Sequence, residues 1–179
     1  MRMRLLLVLL AVFGIGFALN AIWEFSQMPL YALPPGSPPH VFLCLRASLW
    51  DASYLVALYL AIAAVRDDRF WLRRKGPRHE LVIVLVSVVV AVLIEVEALR
   101  SGRWSYAPRM PLIPGLDVGV TPVLQLAITA LATFEIVRRF SSRSAGDSPL
   151  SGHPYGSRSD PKGTPISLPL GKGEKEGVA

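Results

Sequence analysis

At 179 residues, 52% hydrophobic and only 18% charged, the chain falls below the roughly 25% charge of ordinary soluble domains. A net charge of +6 would suggest nucleic acid in a soluble protein, but here the Lys and Arg lie mainly between long uncharged blocks. Membrane topology accounts for them, and no nucleic-acid partner is expected. The single cysteine, Cys44, excludes an internal disulfide and a thiolate metal site.

Four segments are long enough to span about 30 Å of hydrocarbon at about 1.5 Å per residue. They cover about residues 5–25, 47–65, 81–99 and 120–140. The opening Met1-Arg2-Met3-Arg4 and its apolar run also have the form of a signal peptide. Against cleavage, Asn20 follows Ala18-Leu19 where a small residue is wanted, and the apolar run continues to Phe25. Gly14 and Ala18 form a small-xxx-small step that predicts a close helix contact.

The connection after the first span, Met28 to Pro39, is proline-rich and cannot be helical throughout. Arg46 is expected to snorkel and mark the start of the second span. Between the second and third spans lie Arg66, Arg69, Arg73, Arg74, Lys75 and Arg78. Arg2 and Arg4 precede the first span, and Arg138, Arg139 and Arg143 follow the fourth. These three regions share one side, which the positive-inside rule assigns to the cytoplasm, so both termini are expected there.

The connection from Ser101 to Gly119 is apolar but broken by Pro111 and Pro114, as fits a segment at the interface or tucked against the bundle. Trp23, Trp50, Trp104 and Tyr106 fall near this outer boundary, as an aromatic belt would. From Ser141 onward Ser, Gly, Pro and mixed charges dominate, so residues 141–179 read as a disordered tail. The expected fold class is therefore all-α: a four-transmembrane-helix bundle over 1–140, with a disordered C-terminal tail.

Each span carries polar residues one to two turns below the outer boundary. The first has Asn20, Glu24 and Gln27 on one face, and the second has Asp51 with Tyr54 three residues on. The third has Glu95, and the fourth has Thr121, Gln125 and Thr129 at i+4 steps. A carboxylate facing lipid costs at least about 2.5 kcal/mol, so three of them should face one another, an arginine or a water-filled cavity. A buried acid in its neutral form can donate a proton, and a neighbouring amide can orient it. Glu24, Asp51 and Glu95 are thus the candidate catalytic residues, and Asn20, Gln27, Tyr54, Arg103 and Gln125 the candidate binding residues. The competing reading makes the same residues interhelical packing contacts, each typically worth about 0.6 kcal/mol.

Glu97 with Arg100, and Glu135 with Arg138 and Arg139, are spaced as local ion pairs. Arg103 beside Trp104 could neutralise the acids or meet an anionic head group, but an ordinary interfacial arginine is the better-favoured reading. The inner half of the bundle reads as plain hydrocarbon with a basic rim. His40, His79 and His153 are scattered, so no metal site is signalled, and no cofactor is expected. Asp67-Asp68 lacks the second acidic pair of a diphosphate–magnesium site, and there is no phosphate loop or nucleophile elbow.

The run Asn20-x-x-Trp23-Glu24-x-x-Gln27-x-Pro29-Leu30-Tyr31 resembles the opening signature of an uncharacterised family of small bacterial polytopic membrane proteins. Gly102-Arg103-Trp104-Ser105-Tyr106, then Met110-Pro111, Gly119, Pro122 and Gln125, resembles its second signature. Asp51 falls at an acid of that family's second helix, where glycine often precedes it, whereas here Trp50 does. The resemblance covers most of residues 15–130 and implies this topology and polar layer, but no known activity. In architecture alone, the bundle is also similar to membrane carotenoid-cyclase-type proteins.

Three function classes follow. The first is a lipid- or isoprenoid-binding or -modifying protein of the bacterial inner membrane, with a polar pocket in the outer half of the bilayer. The second is a non-catalytic accessory or scaffold subunit. The third is a proton- or ion-coupled carrier, which would need a polar path through the inner half. Sequence leaves the ligand, the existence of a reaction and the oligomeric state open.

Overall fold

A computed structural model of the protein describes residues 2–146. Four helices carry the chain: α1 (Arg2–Gln27), α2 (His40–Arg66), α3 (Pro77–Arg100) and α4 (Val120–Gly146). Even α3, the shortest at 24 residues, exceeds about 30 Å at about 1.5 Å per residue. All four are long and apolar enough to cross a membrane, with mean hydropathy from 1.6 to 2.8. Their outward faces are apolar as well: Leu7, Leu10, Leu60, Val89, Leu93 and Ile128 are all exposed. A water-soluble bundle would put charge there, so the chain is a multi-pass membrane protein.

The helices overrun the predicted spans where capping allows. α2 begins at His40, directly after Pro39, whose extended backbone cannot continue a helix backwards. Arg46 therefore sits in the second turn of α2 rather than at its start. α2 stops at Asp67, which takes a left-handed conformation (φ 50°) and closes the last turn. α4 continues through Ser141–Gly146, so the first residues of the predicted tail are helical. The rest of that tail, 147–179, lies outside the described residues.

Around the bundle, α1 packs between α2 and α4, and α3 packs on α4. α2 and α3 share no comparable packing, which leaves a seam between them. Tyr54 Oη and Ser87 Oγ bridge that seam at 3.1 Å. The close approach of α1 to α2 occurs at Gly16, where an added Cβ would stand 2.7 Å from Leu55 Cδ1. Gly14 faces open space and Ala18 is exposed, so the predicted Gly14–Ala18 contact is not the one made. The buried face runs through Val12, Gly16 and Asn20, on the opposite side of the helix from the small-residue step.

At the basic end, the α2–α3 connection folds inward. A 3₁₀ turn, Trp71–Arg74, buries Trp71 and Leu72 fully or almost so. Trp71 stacks on His79 at 5.7 Å and meets Phe134 edge-on at 5.5 Å. Its Nε1 donates to Tyr59 O at 3.2 Å, and Tyr59 Oη donates to Arg69 O at 2.5 Å. This end is thus closed by an aromatic plug, not by the plain hydrocarbon the sequence suggests. The predicted ion pairs around Glu135 form, with Arg138 at 2.6 Å and Arg139 at 2.8 Å. Lys75, its side chain almost fully buried, reaches Glu80 at 3.1 Å and Glu135 at 3.6 Å.

At the opposite end, two short antiparallel ladders tie the loops together. β1 (Tyr31–Ala32) pairs with β2 (Ser105–Tyr106), joining the α1–α2 and α3–α4 connections. β3 (Leu112–Ile113) pairs with β4 (Val118–Gly119) ahead of α4. Gly119 is wedged against Met110 and Pro122, where an added Cβ would stand 3.0 Å from Met110 Sδ. The loops therefore form a roof over the helix ends rather than separate interfacial segments.

Candidate functional site

Beneath that roof the polar residues of α1, α2 and α4 meet at one amide. Gln125 is buried on α4, and its Nε2 lies 3.2 Å from Asn20 Oδ1, 2.9 Å from Glu24 Oε1 and 3.1 Å from Asp51 Oδ2. Its Oε1 accepts from Gln27 Nε2 at 2.6 Å. The i+4 and i+3 steps along α1 place Asn20, Glu24 and Gln27 on the face that looks at α4. Gln27 also lies 3.3 Å from Glu24 and accepts from Trp23 Nε1 at 3.2 Å. Thr129 Oγ1, one turn from Gln125, points at Asn20 Oδ1 at 3.0 Å, and Asn20 Nδ2 donates to Gly16 O at 2.9 Å.

An amide nitrogen has two hydrogens, and three acceptors surround this one. At most two are satisfied by Gln125 at any moment, so the cluster keeps acceptor capacity for another donor.

Glu95 reaches the site from α3 through a separate network. It is buried, and its Oε2 accepts from Tyr106 Oη at 2.5 Å and from Trp104 Nε1 at 3.3 Å. Tyr106 Oη in turn accepts from Gly119 N at 2.9 Å, so β2 and β4 both fix this acid. Tyr31 packs on Trp104 and Tyr106, with ring centroids 6.0 and 5.7 Å away. Burial pushes the Tyr31 phenol above its ordinary range, and the nearby Glu95, Glu24 and Asp51 push it further the same way. The phenol of Tyr106 is raised as well, by burial first and then by its bond to Glu95. Tyr31 thus stands in the field of all three acids.

These groups line a cavity of about 930 Å³. Glu24, Asp51, Tyr54, Glu95 and Gln125 all contribute to its wall, together with Tyr31, Trp50 and Trp104. Leu43, Ala47, Ile94 and Leu126 supply apolar surface, while Arg46 and Arg103 contribute cations. Its walls come from both sides of the α2–α3 seam, with the Tyr54–Ser87 bridge there as well. Among the described residues no Lys or Arg forms an ion pair with Glu24, Asp51 or Glu95. Arg103 pairs with Glu97 and lies over the Trp104 ring at 5.8 Å. Glu97 is therefore engaged by Arg103, across the turn, rather than by Arg100 as its spacing suggests.

All eight candidate residues border this region, although in different ways. Asn20 and Gln27 are buried behind the wall as supports for Gln125, while Tyr54 sits where the seam is bridged. Arg103 stands at the roof, half exposed. Sequence reasoning did not single out Tyr31 and Tyr106 as site residues. Tyr31 and Tyr106 each close one of the two signature runs, which was the available signal, but a belt at the interface explained Tyr106 equally well. Among the described residues no group of three His, Cys, Asp or Glu side chains is arranged to hold a metal ion.

Compared with known protein families, with curated proteins and with solved structures, the chain matches nothing.

Proposed function

We propose that this protein binds, or through its acids modifies, a lipid or isoprenoid held in the outer half of the bacterial inner membrane. In this reading both termini and the basic α2–α3 turn face the cytoplasm, as the Lys and Arg distribution favours. The observation that carries the proposal is the pairing of Glu24 and Asp51 on one Gln125 amide, within a largely apolar cavity at the α2–α3 seam. Such a cavity admits an amphiphile sideways and brings part of it against two acids that a fixed amide holds in place. Glu24, Asp51 and Glu95 are the groups available for general acid chemistry. Gln125 positions Glu24 and Asp51, Gln27 supports Glu24, and Tyr106 with Trp104 holds Glu95.

The resemblance to the uncharacterised bacterial family fits this reading, because residues of both signatures converge on the cavity. An accessory or scaffold role is favoured by one observation, the number of interhelical hydrogen bonds that Gln125 alone makes. Ion-coupled transport is disfavoured by the plug of Trp71, Tyr59 and Phe134 at the basic end.

Native mass spectrometry of the protein from mild detergent tests the binding half of the proposal. A retained lipid or prenyl species is expected, and a clean apoprotein would sink it. The chemical half is tested by Glu24→Gln and Glu95→Gln in cells. Changed lipid or isoprenoid profiles are expected, and profiles identical to wild type would leave only the accessory role.

A further inference from the structure

The cavity has two polar poles of opposite sign. Glu24, Asp51 and Glu95 lie on its wall without a protein cation, whereas Arg46 and Arg103 border the same space. Carboxylates without a counter-charge in an apolar setting need either a proton or a cation from elsewhere. A metal ion is a poor candidate, since no three ligating side chains are grouped for one among the described residues. An organic cation suits the surroundings better. Tyr31, Trp50 and Trp104 border the same space, and aromatic rings attract ammonium groups. Glu24 and Asp51 each offer Gln125 a single oxygen, and Glu95 offers only Oε2 to Tyr106 and Trp104. The remaining oxygens can accept from an ammonium, which supplies up to three donors.

The other pole specifies the rest of the ligand. Arg46 is exposed on α2, and Arg103 is half exposed although it pairs with Glu97. Both line the cavity that the acids line, and a guanidinium is a ready partner for phosphate. Apolar side chains of α2 and α3 leave a route for acyl chains along the seam. An anionic headgroup alone would meet three acids on the wall, and a free soluble amine would leave the apolar lining unused.

We propose that the cavity receives the zwitterionic headgroup of an aminophospholipid, its ammonium among Glu24, Asp51 and Glu95 and its phosphate at Arg46 and Arg103. This rests on the lipid-binding reading above and names its ligand class.

The test uses the full chain in nanodiscs containing equal amounts of phosphatidylethanolamine, phosphatidylcholine, phosphatidylglycerol and diacylglycerol. Lipids that stay bound on release into mild detergent are then quantified against the bulk ratio. Phosphatidylethanolamine should be enriched about tenfold over phosphatidylglycerol, the scale of one charge-assisted hydrogen bond, and also over phosphatidylcholine, whose quaternary ammonium has no N–H to donate. The double variant Glu24→Gln/Asp51→Asn should return that ratio to bulk. Arg46→Gln should raise diacylglycerol relative to the phospholipids without removing the preference for an amine. Size-exclusion profile and helical circular dichroism report whether the variants fold. Should the double variant fail to fold, the wild-type ratio decides alone. Phosphatidylglycerol enriched as strongly as phosphatidylethanolamine would overturn the headgroup assignment while leaving a lipid pocket. Enrichment of no lipid at all would overturn the pocket reading itself.

Discussion

At the residue scale, Gln125 joins three helices through one side chain. Replacing it with leucine keeps the volume but leaves Gln27 Nε2 without its 2.6 Å acceptor and removes the donor shared by Asn20, Glu24 and Asp51. Stranding a buried donor costs about 1–3 kcal/mol, although hydrogen bonds within bilayers average nearer 0.6 kcal/mol because unfolded helices find other partners. Gln125→Leu should therefore lower stability by about 1–2 kcal/mol in detergent unfolding. A variant as stable as wild type would show that the network does not hold α1, α2 and α4 together. The two glycines of α1 give a sharper contrast. Gly16→Ile forces branched carbons against Leu55 and should cost about 1–3 kcal/mol by overpacking, whereas at Gly14 an added Cβ meets nothing within 4 Å and Gly14→Ile should change little. Equal effects at the two sites in parallel unfolding curves would contradict the α1–α2 packing.

At the scale of elements, the roof depends on two-residue ladders too short to be stable alone. Side chains supply the remainder, and Tyr106 is the central one. Tyr106→Phe deletes the bond to Glu95 and the acceptor for Gly119 N, so β2 should loosen from β4. The expected signature is faster hydrogen exchange at the Gly119 amide, with about 1 kcal/mol lost. Unchanged exchange there would show that the ladders hold without the phenol. The roof should also respond to alkali. Tyr31 and Tyr106 have folded pKa values raised above the ordinary tyrosine value of about 10. The unfolded state therefore loses these protons first as pH rises. The stability they contribute is complete below about pH 10 and is lost progressively above it. Spectrophotometric titration should find the phenols of Tyr31 and Tyr106, assigned by difference against Tyr31→Phe and Tyr106→Phe, resisting ionisation near pH 11, where exposed tyrosines are mostly phenolate. Ionisation of every tyrosine with a single ordinary midpoint would contradict the buried roof.

At the scale of the whole molecule, the bundle has unlike ends. One is filled by Trp71, Tyr59 and Phe134 and rimmed with Arg and Lys, and the other encloses the cavity. In the proposed orientation, with the basic end in the cytoplasm, the cavity would lie in the outer half of the bilayer. In a Cys44→Ala background, Ser37→Cys should react with an impermeant maleimide on intact spheroplasts, and Arg74→Cys only after permeabilisation. The reverse pattern would invert the proposed orientation.

The sequence by itself determined the elements that a bilayer imposes. Uninterrupted apolar runs must become helices in hydrocarbon, because no water is there to satisfy a bare backbone, and this made four spans legible without any tertiary information. The i+3 and i+4 spacing of Asn20, Glu24 and Gln27 likewise fixed a shared face on α1. The tertiary structure decided what those faces meet. Rotation of each helix about its axis brought Gly16, not Gly14, to α2, and carried Gln125 between two acids. The loops showed no strand-length pattern, so the pairing of Tyr31 with Tyr106 came only from bringing distant turns together. The plug at Trp71 was hidden for a related reason. Its aromatic residue lies in a basic turn that reads as exposed, and only the space left between α2 and α4 makes burial there favourable. The polar layer was visible from the start as a coincidence of depth. Its reduction to one amide, two acids beside it and a third held by the roof needed the helices to be packed.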